Sequence, residues 1–207
     1  MPPRVKFQKE EIVCAALEVT RKKGFDAVTA REVAAELHVS PGPIFTYFDT
    51  MEQLKAEVYA LAKDRYREYI ERGLSSPVPF RGVWKQFLSF AREEPELFKL
   101  LFLIKPSASS GGALEALRLS QELARGSLMR VYNMDAATAD CYLRDIWLVA
   151  FSYATLIVMD ECPYTDEEIL AVGTEVSIAV CKAYKEIPGL PEGNYDRDAI
   201  FRELIKK

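Results

Sequence analysis

At 207 residues, with 49% hydrophobic and 28% charged side chains, the chain carries ample apolar material for one large packed domain or two small ones, which excludes the disordered class. A net charge of −4 excludes nucleic-acid binding by bulk positive charge: residues 1–50 balance Arg4, Lys6, Lys9, Arg21, Lys22, Lys23 and Arg31 against seven acidic side chains, so any such contact rests on geometry. Cys14, Cys141, Cys162 and Cys181 stand far apart, without a C-x-x-C pair, and read as reduced, mostly buried thiols of a cytosolic protein rather than zinc ligands or a disulfide frame.

In chain order, "MPPRVKFQKEE" lacks the apolar core of a signal peptide. A first helix follows from about Gln8 to Lys23, with Ile12, Ala16, Leu17 and Thr20 at helical spacing and a basic last turn before Gly24. "VTAREV" opens a second helix through a capping box, Thr29 with Glu32, and a staple between Val28 and Val33. "ELHVSPGP" ends it after Leu37. A third helix is expected to begin at Ser40, with Pro41 at its first position and Pro43 at its third, where missing N–H groups cost nothing internally. Thr50 with Gln53 caps a fourth, running to about Arg72.

"GLSSPVP", residues 73–79, is the strongest linker signal. Helical pattern resumes over 80–93 and 95–102, split at Pro95; "KPSASSGG", residues 105–112, reads as a mobile loop. Further helices are predicted from about Leu114 to Tyr132, from Asp135 to Glu161, from a Thr165–Glu168 capping box to about Ile187, and over 197–207. Strand signals are nearly absent. The apolar run Ile146–Met159 is too short to cross a bilayer and reads as a helix buried on most sides.

Three short helices with a tight turn between the second and third fit a helix-turn-helix unit. Val33, Ala34, Leu37, Val39, Ile44 and Phe48 can fill a miniature core with Leu17 and Phe25, leaving the outer face of the third helix free for a major groove. Pattern alone leaves open a helical subdomain without a nucleic-acid role. Nothing in the sequence supports catalysis: there is no Walker A loop, no G-x-G-x-x-G, no H-E-x-x-H, and a single histidine, His38. No cofactor or metal site is expected.

"AALEVTRKKGFDAVTAREVAAELHVSPGPIFTYFDTMEQL" resembles the amino-terminal domain of the tetracycline-repressor (TetR) family of bacterial transcriptional regulators. The likeness lies in an alanine-rich first helix, then Gly24-Phe25, Val28-Thr29, Val33-Ala34, Val39-Ser40, Gly42, Tyr47-Phe48 and a helix start at Thr50. It implies an all-α protein with a helix-turn-helix domain over 1–50, a connecting helix over 51–72, and an effector-binding and dimerisation domain over 73–207. It also implies phosphate contacts by Thr29 and Tyr47, and base contacts from the start of the third helix, here Ser40, Pro41, Gly42, Pro43 and Thr46. A cap threonine at a helix amino end and a tyrosine hydroxyl suit phosphate on physical grounds. Arg31 and Lys55 can reach backbone or base, and Arg4 and Lys6 form a short basic arm. Three positions depart from the family pattern. His38 stands where glycine is usual, tolerable because histidine enters the left-handed region more readily than most residues; Pro41 replaces a polar residue, and Pro43 a small hydroxyl residue. With two donors lost, base reading falls to Thr46, Arg31, apolar contact with thymine methyls and DNA shape.

The resemblance further implies a cytoplasmic homodimer paired through its last two long helices on a palindromic operator, and a small-molecule effector. Independently, Asp140–Met159 carries Tyr142, Leu143, Ile146, Trp147, Val149, Ala150, Tyr153, Ala154, Ile157 and Val158, more apolar surface than a monomer exposes. Ala171, Gly173, Ser177 and Ala179 would allow close helix approach. The aromatics Trp84, Phe87, Phe98, Phe102, Tyr132, Trp147 and Phe151 are candidates to line a pocket for an apolar or aromatic ligand.

Overall fold

The structure is a computed structural model describing residues 8–105, 107 and 111–205. Arg4, Lys6, half of the predicted loop (106 and 108–110) and residues 206–207 lie outside the described residues. The helices are α1 (Lys9–Lys23), α2 (Ala30–Glu36), α3 (Met51–Leu74), α4 (Pro79–Glu93), α5 (Pro95–Phe98), α6 (Ala113–Tyr132), α7 (Ala136–Val158), α8 (Asp166–Glu186) and α9 (Arg197–Ile205).

Local chemistry sets most of these ends. Glu32 N donates to Thr29 Oγ1 at 3.3 Å, but the Glu32 carboxylate turns to Lys23, so this cap is half a box. At α3 the box is again partial: Gln53 N donates to Thr50 Oγ1, while Gln53 Oε1 accepts from Asp49 N. Thr165 and Glu168 form the full reciprocal box. Asp135 caps α7, taking Thr138 N at 2.9 Å and Thr138 Oγ1 at 2.8 Å, and these donors hold its carboxyl below the ordinary value.

The expected third helix does not form as an α-helix. One 3₁₀ turn, Ile44–Thr46, stands in its place, preceded by Pro43 at φ −56° and ψ −31°. Ile44 N donates to Pro41 O and Thr46 N to Pro43 O, both i→i−3. Pro43 disfavours helical geometry in Gly42 through its ring as well as through any β-carbon, so winding starts late and only a few residues remain before the Thr50 cap. The turn before it behaves as predicted: His38 sits at φ 57°. The miniature core also forms, with Leu17, Phe25, Val33, Ala34, Ile44 and Phe48 buried and Leu37 and Val39 packed against it half-buried.

Residues 73–79 are not a loose linker. Helix α3 continues through Leu74, α4 begins at Pro79, and the two helices touch backbone to backbone. A β-carbon on Gly73 would lie 2.5 Å from Val83 Cα, and one on Gly82 would lie 2.2 Å from Gly73 O. Glycine is the residue that permits this approach. Along α3 the stripe Leu54, Val58, Ala62, Tyr66, Ile70 and Gly73 is buried against α1, α4 and α6, so one helix serves both the amino-terminal unit and the body.

Two burial expectations fail. Only 33% of the apolar window of α7 is buried within the chain, since one face packs on α4, α6 and α8 while Leu148 and Met159 lie bare. The cysteines are free but not buried: Cys14 is exposed on the outer side of α1, opposite buried Ile12, Ala16 and Val19, and the other three are half-buried.

Candidate functional site

The outward surface of the amino-terminal unit is built by α2, its preceding cap and the 3₁₀ turn. Burial of Ile44 and Phe48, four residues apart, turns the three residues between them outward: Phe45 is 52% and Tyr47 43% exposed, with Thr46 exposed between them. Thr29, Arg31, Ser40, Pro41 and Gly42 are also exposed, and Pro43 is half-buried. Sequence reasoning missed Phe45, although the Ile44–Phe48 spacing carries the signal.

The unit's cations are mostly committed. Lys22 pairs with Glu36 at 2.6 Å, Lys23 with Glu32 at 2.5 Å, and Lys9 with Glu57. The Lys23 ammonium, by hydrogen bond and by charge, holds the Glu32 carboxyl below the ordinary range. Arg21 grips Glu94 with two hydrogen bonds of 2.7 and 2.5 Å and also meets Glu18; Glu94 is the leading cause of its raised pKa. Lys55, expected on the outer surface, instead lies over the Phe25 ring at 5.6 Å and within 4.0 Å of Glu52. Arg31 alone among the basic residues of α1 and α2 has no carboxylate within ion-pair distance among the described residues.

A second site is internal. Helices α3, α4, α6 and α7 form the walls of a partly open cavity of about 50 Å³ lined by Tyr66, Phe80, Trp84, Phe87, Tyr132 and Trp147 together with aliphatic residues and two serines. Four of the seven predicted aromatics therefore line it. Phe98, Phe102 and Phe151 do not: they pack on one another and on Trp147, with ring centroids 4.5 Å apart for the tilted Phe98–Phe102 pair and 5.1 Å for the stacked Trp147–Phe151 pair. Tyr66 and Phe80, which the sequence reading left out, do line it; Phe80 precedes Trp84 and Phe87 at positions i, i+4 and i+7 of one helix face. Tyr66 Oη and Ser120 Oγ share a 2.6 Å hydrogen bond, and burial pushes the phenol up to about 12.

Trp84 forms part of the wall of both this cavity and an outer groove of about 620 Å³ between α4 and the start of α8. Its indole lies against Gly173, where a β-carbon would sit 2.4 Å from Trp84 Cε2. Ser177 donates to or accepts from buried Tyr142 at 2.6 Å. Gly173 and Ser177 thus serve close approach inside the protomer and not on its surface, whereas Ala171 and Ala179 face outward. The bare surface of α7 and α8 presents Leu148, Met159 and Ile178, the last 62% exposed.

Residues 12–58 match the family of bacterial regulatory proteins, tetR family. Among solved structures, a member of the TetR family from Streptomyces coelicolor A3 is 22% identical, with 81% of this chain and 96% of that one covered at a TM-score of 0.59. A TetR variant from Acinetobacter baumannii AYE in complex with minocycline is 15% identical, covering 87% and 97% at 0.57. The multidrug binding protein EbrR complexed with malachite green is 22% identical, covering 84% and 98% at 0.56. These likenesses establish a shared fold. No curated protein matches the sequence.

Proposed function

We propose, from the premise that residues 12–58 form a domain of the tetR family of bacterial regulatory proteins, that this chain is a cytoplasmic, homodimeric, ligand-responsive repressor released from a palindromic operator by a small apolar or aromatic effector. Residues 1–50 read DNA, 51–72 connect, and 73–207 bind effector and partner. Thr29 and Tyr47 meet phosphate, while Arg31, Thr46 and the Ser40–Pro43 segment meet base edges or groove walls. The two subunits pair through α7 and α8.

The observation that carries this reading is a physical link between the two sites. Helix α4, which supplies Phe80, Trp84 and Phe87 to the cavity, is followed directly by Glu94, which grips Arg21 in the last turn of α1. A molecule that repositions α4 thereby acts on the amino-terminal unit. In a symmetric dimer the two reading elements must sit about one DNA turn apart, ~34–36 Å. An effector that favours another spacing weakens binding by its differential affinity for the two states. Solved proteins of this fold hold minocycline or malachite green, which supports an aromatic occupant.

A second reading, a helical binding protein of the same fold without specific DNA binding, is favoured by the paired cations of the amino-terminal unit and by the short 3₁₀ turn that stands in place of its third helix. Gel-shift against the chain's own upstream region across a salt series separates the two. A preferred fragment whose affinity falls steeply with salt supports the repressor, because phosphate contacts release counterions. Flat salt dependence with no preferred fragment selects the second reading.

A further inference from the structure

The cavity wall has no charge, yet it holds donors without acceptors. Among the described residues no Asp, Glu, Lys, Arg or His lines it. The indole N–H groups of Trp84 and Trp147, in side chains only 3% and 6% exposed, have no hydrogen-bond partner. Trp147 Nε1 points a weak hydrogen-bond contact at the Tyr66 hydroxyl that falls short of full hydrogen-bond geometry, so Trp84 Nε1 is the donor with no partner of any kind. Other polar atoms of the wall are occupied: Ser120 Oγ is engaged with Tyr66 Oη and donates to Ala116 O at 2.8 Å.

These two properties select an occupant. An ion brought into this wall meets no counter-charge to offset its lost hydration. A hydrocarbon leaves both indole donors orphaned, the condition that buried polar groups in proteins avoid. A neutral molecule with an acceptor satisfies both constraints. At rest the 50 Å³ is the space of a water or two; Val131, which lines it, is 57% exposed, so a larger occupant enters by parting the wall there, away from the charged groove on the far side of Trp84.

Resting on the reading of this cavity as the effector site, we propose that the effector is an uncharged, largely apolar molecule bearing at least one hydrogen-bond acceptor, such as a ketone, ether or ring nitrogen, which accepts from Trp84 Nε1 or Trp147 Nε1.

The chain contains two tryptophans, so full-length protein labelled with ¹⁵N at the indole gives two indole signals, both from the cavity wall. It is titrated with acetophenone, with α-methylstyrene, in which C=CH₂ replaces C=O at nearly the same shape, and with benzoate. Acetophenone is expected to bind about tenfold more tightly than α-methylstyrene, the worth of one net hydrogen bond, and to move at least one indole proton downfield. Benzoate is expected to bind more weakly than either. Trp84→Phe or Trp147→Phe should erase the tenfold preference while retaining both probes; the wild-type comparison stands even if a variant misfolds. Equal affinities for the two neutral probes, or acetophenone binding with both indole protons unmoved, overturn the acceptor inference and leave the cavity as an effector site. Benzoate binding as tightly as acetophenone overturns the exclusion of charge. Failure of both neutral probes to bind overturns the inference together with the effector reading.

Discussion

Among the basic residues of α1 and α2, exposed Arg31 is the one with no described carboxylate within ion-pair distance, whereas Lys22 and Lys23 are paired with Glu36 and Glu32. Arg31→Ala is therefore expected to weaken operator binding and to lower the salt-dependence slope by about one unit, read from gel-shift midpoints across a salt series. At the other end of the chain, Gly173 holds the Trp84 indole against bare backbone. Gly173→Ala forces the ring to move and should cost about 1–3 kcal/mol, measured as a lower urea midpoint, with a shift in tryptophan emission. Residue-scale legibility was uneven for one reason. Periodicity told which aromatics are buried, but not which side of a buried ring faces a void. Trp84, Phe87, Tyr132 and Trp147 border the cavity, while Phe98, Phe102 and Phe151, equally apolar in pattern, fill one another's surfaces.

Element by element, the helices that announced themselves by caps formed where expected: α2 after Thr29, α3 after Thr50, α8 after Thr165. The exception is the segment after His38, where two prolines share a helix start that suits proline at its first position only. Placed as the third residue, Pro43 constrains Gly42 before it, and the segment winds as one 3₁₀ turn. Pro43→Thr restores an N–H and relieves Gly42; it should keep the fold by circular dichroism and change operator preference in a randomised-site selection, with an unchanged preference counting against a reading role for this turn. Between elements, Arg21 and Glu94 tie α1 to α4 through side chains 27% and 14% exposed. A double-mutant cycle of Arg21→Met and Glu94→Gln should give a coupling of about 1 kcal/mol in urea unfolding, and the double variant should respond less to effector in gel-shift. No coupling in either measurement would remove this pair from the link between sites. The sequence offered no clue to it, because the partners lie 73 residues apart.

For the whole molecule, the bare apolar surface of α7 and α8 is where the proposed dimer would pair. Ile178→Lys puts a charge in the middle of that surface; sedimentation should show monomer where the parent is a dimer, with operator binding lost at concentrations that saturate the parent. A dimeric variant with intact binding would move the pairing surface elsewhere. The all-helical architecture was legible because every segment carried a 3.6-residue pattern, whereas the tight α3–α4 junction was hidden behind a composition that usually means slack. That junction has a mechanical meaning. With Gly73 and Gly82 in backbone contact, the four-residue turn 75–78 between α3 and α4 has little freedom to absorb a change of angle, and the pair forms a stiff V. Helix α3 is 24 residues long, about 36 Å, so a tilt of about 5° at the apex sweeps its far end through about 3 Å. On the proposed reading, a sub-ångström adjustment around Trp84, near that apex, would be geared up before it reached Thr50, with two glycines setting the ratio.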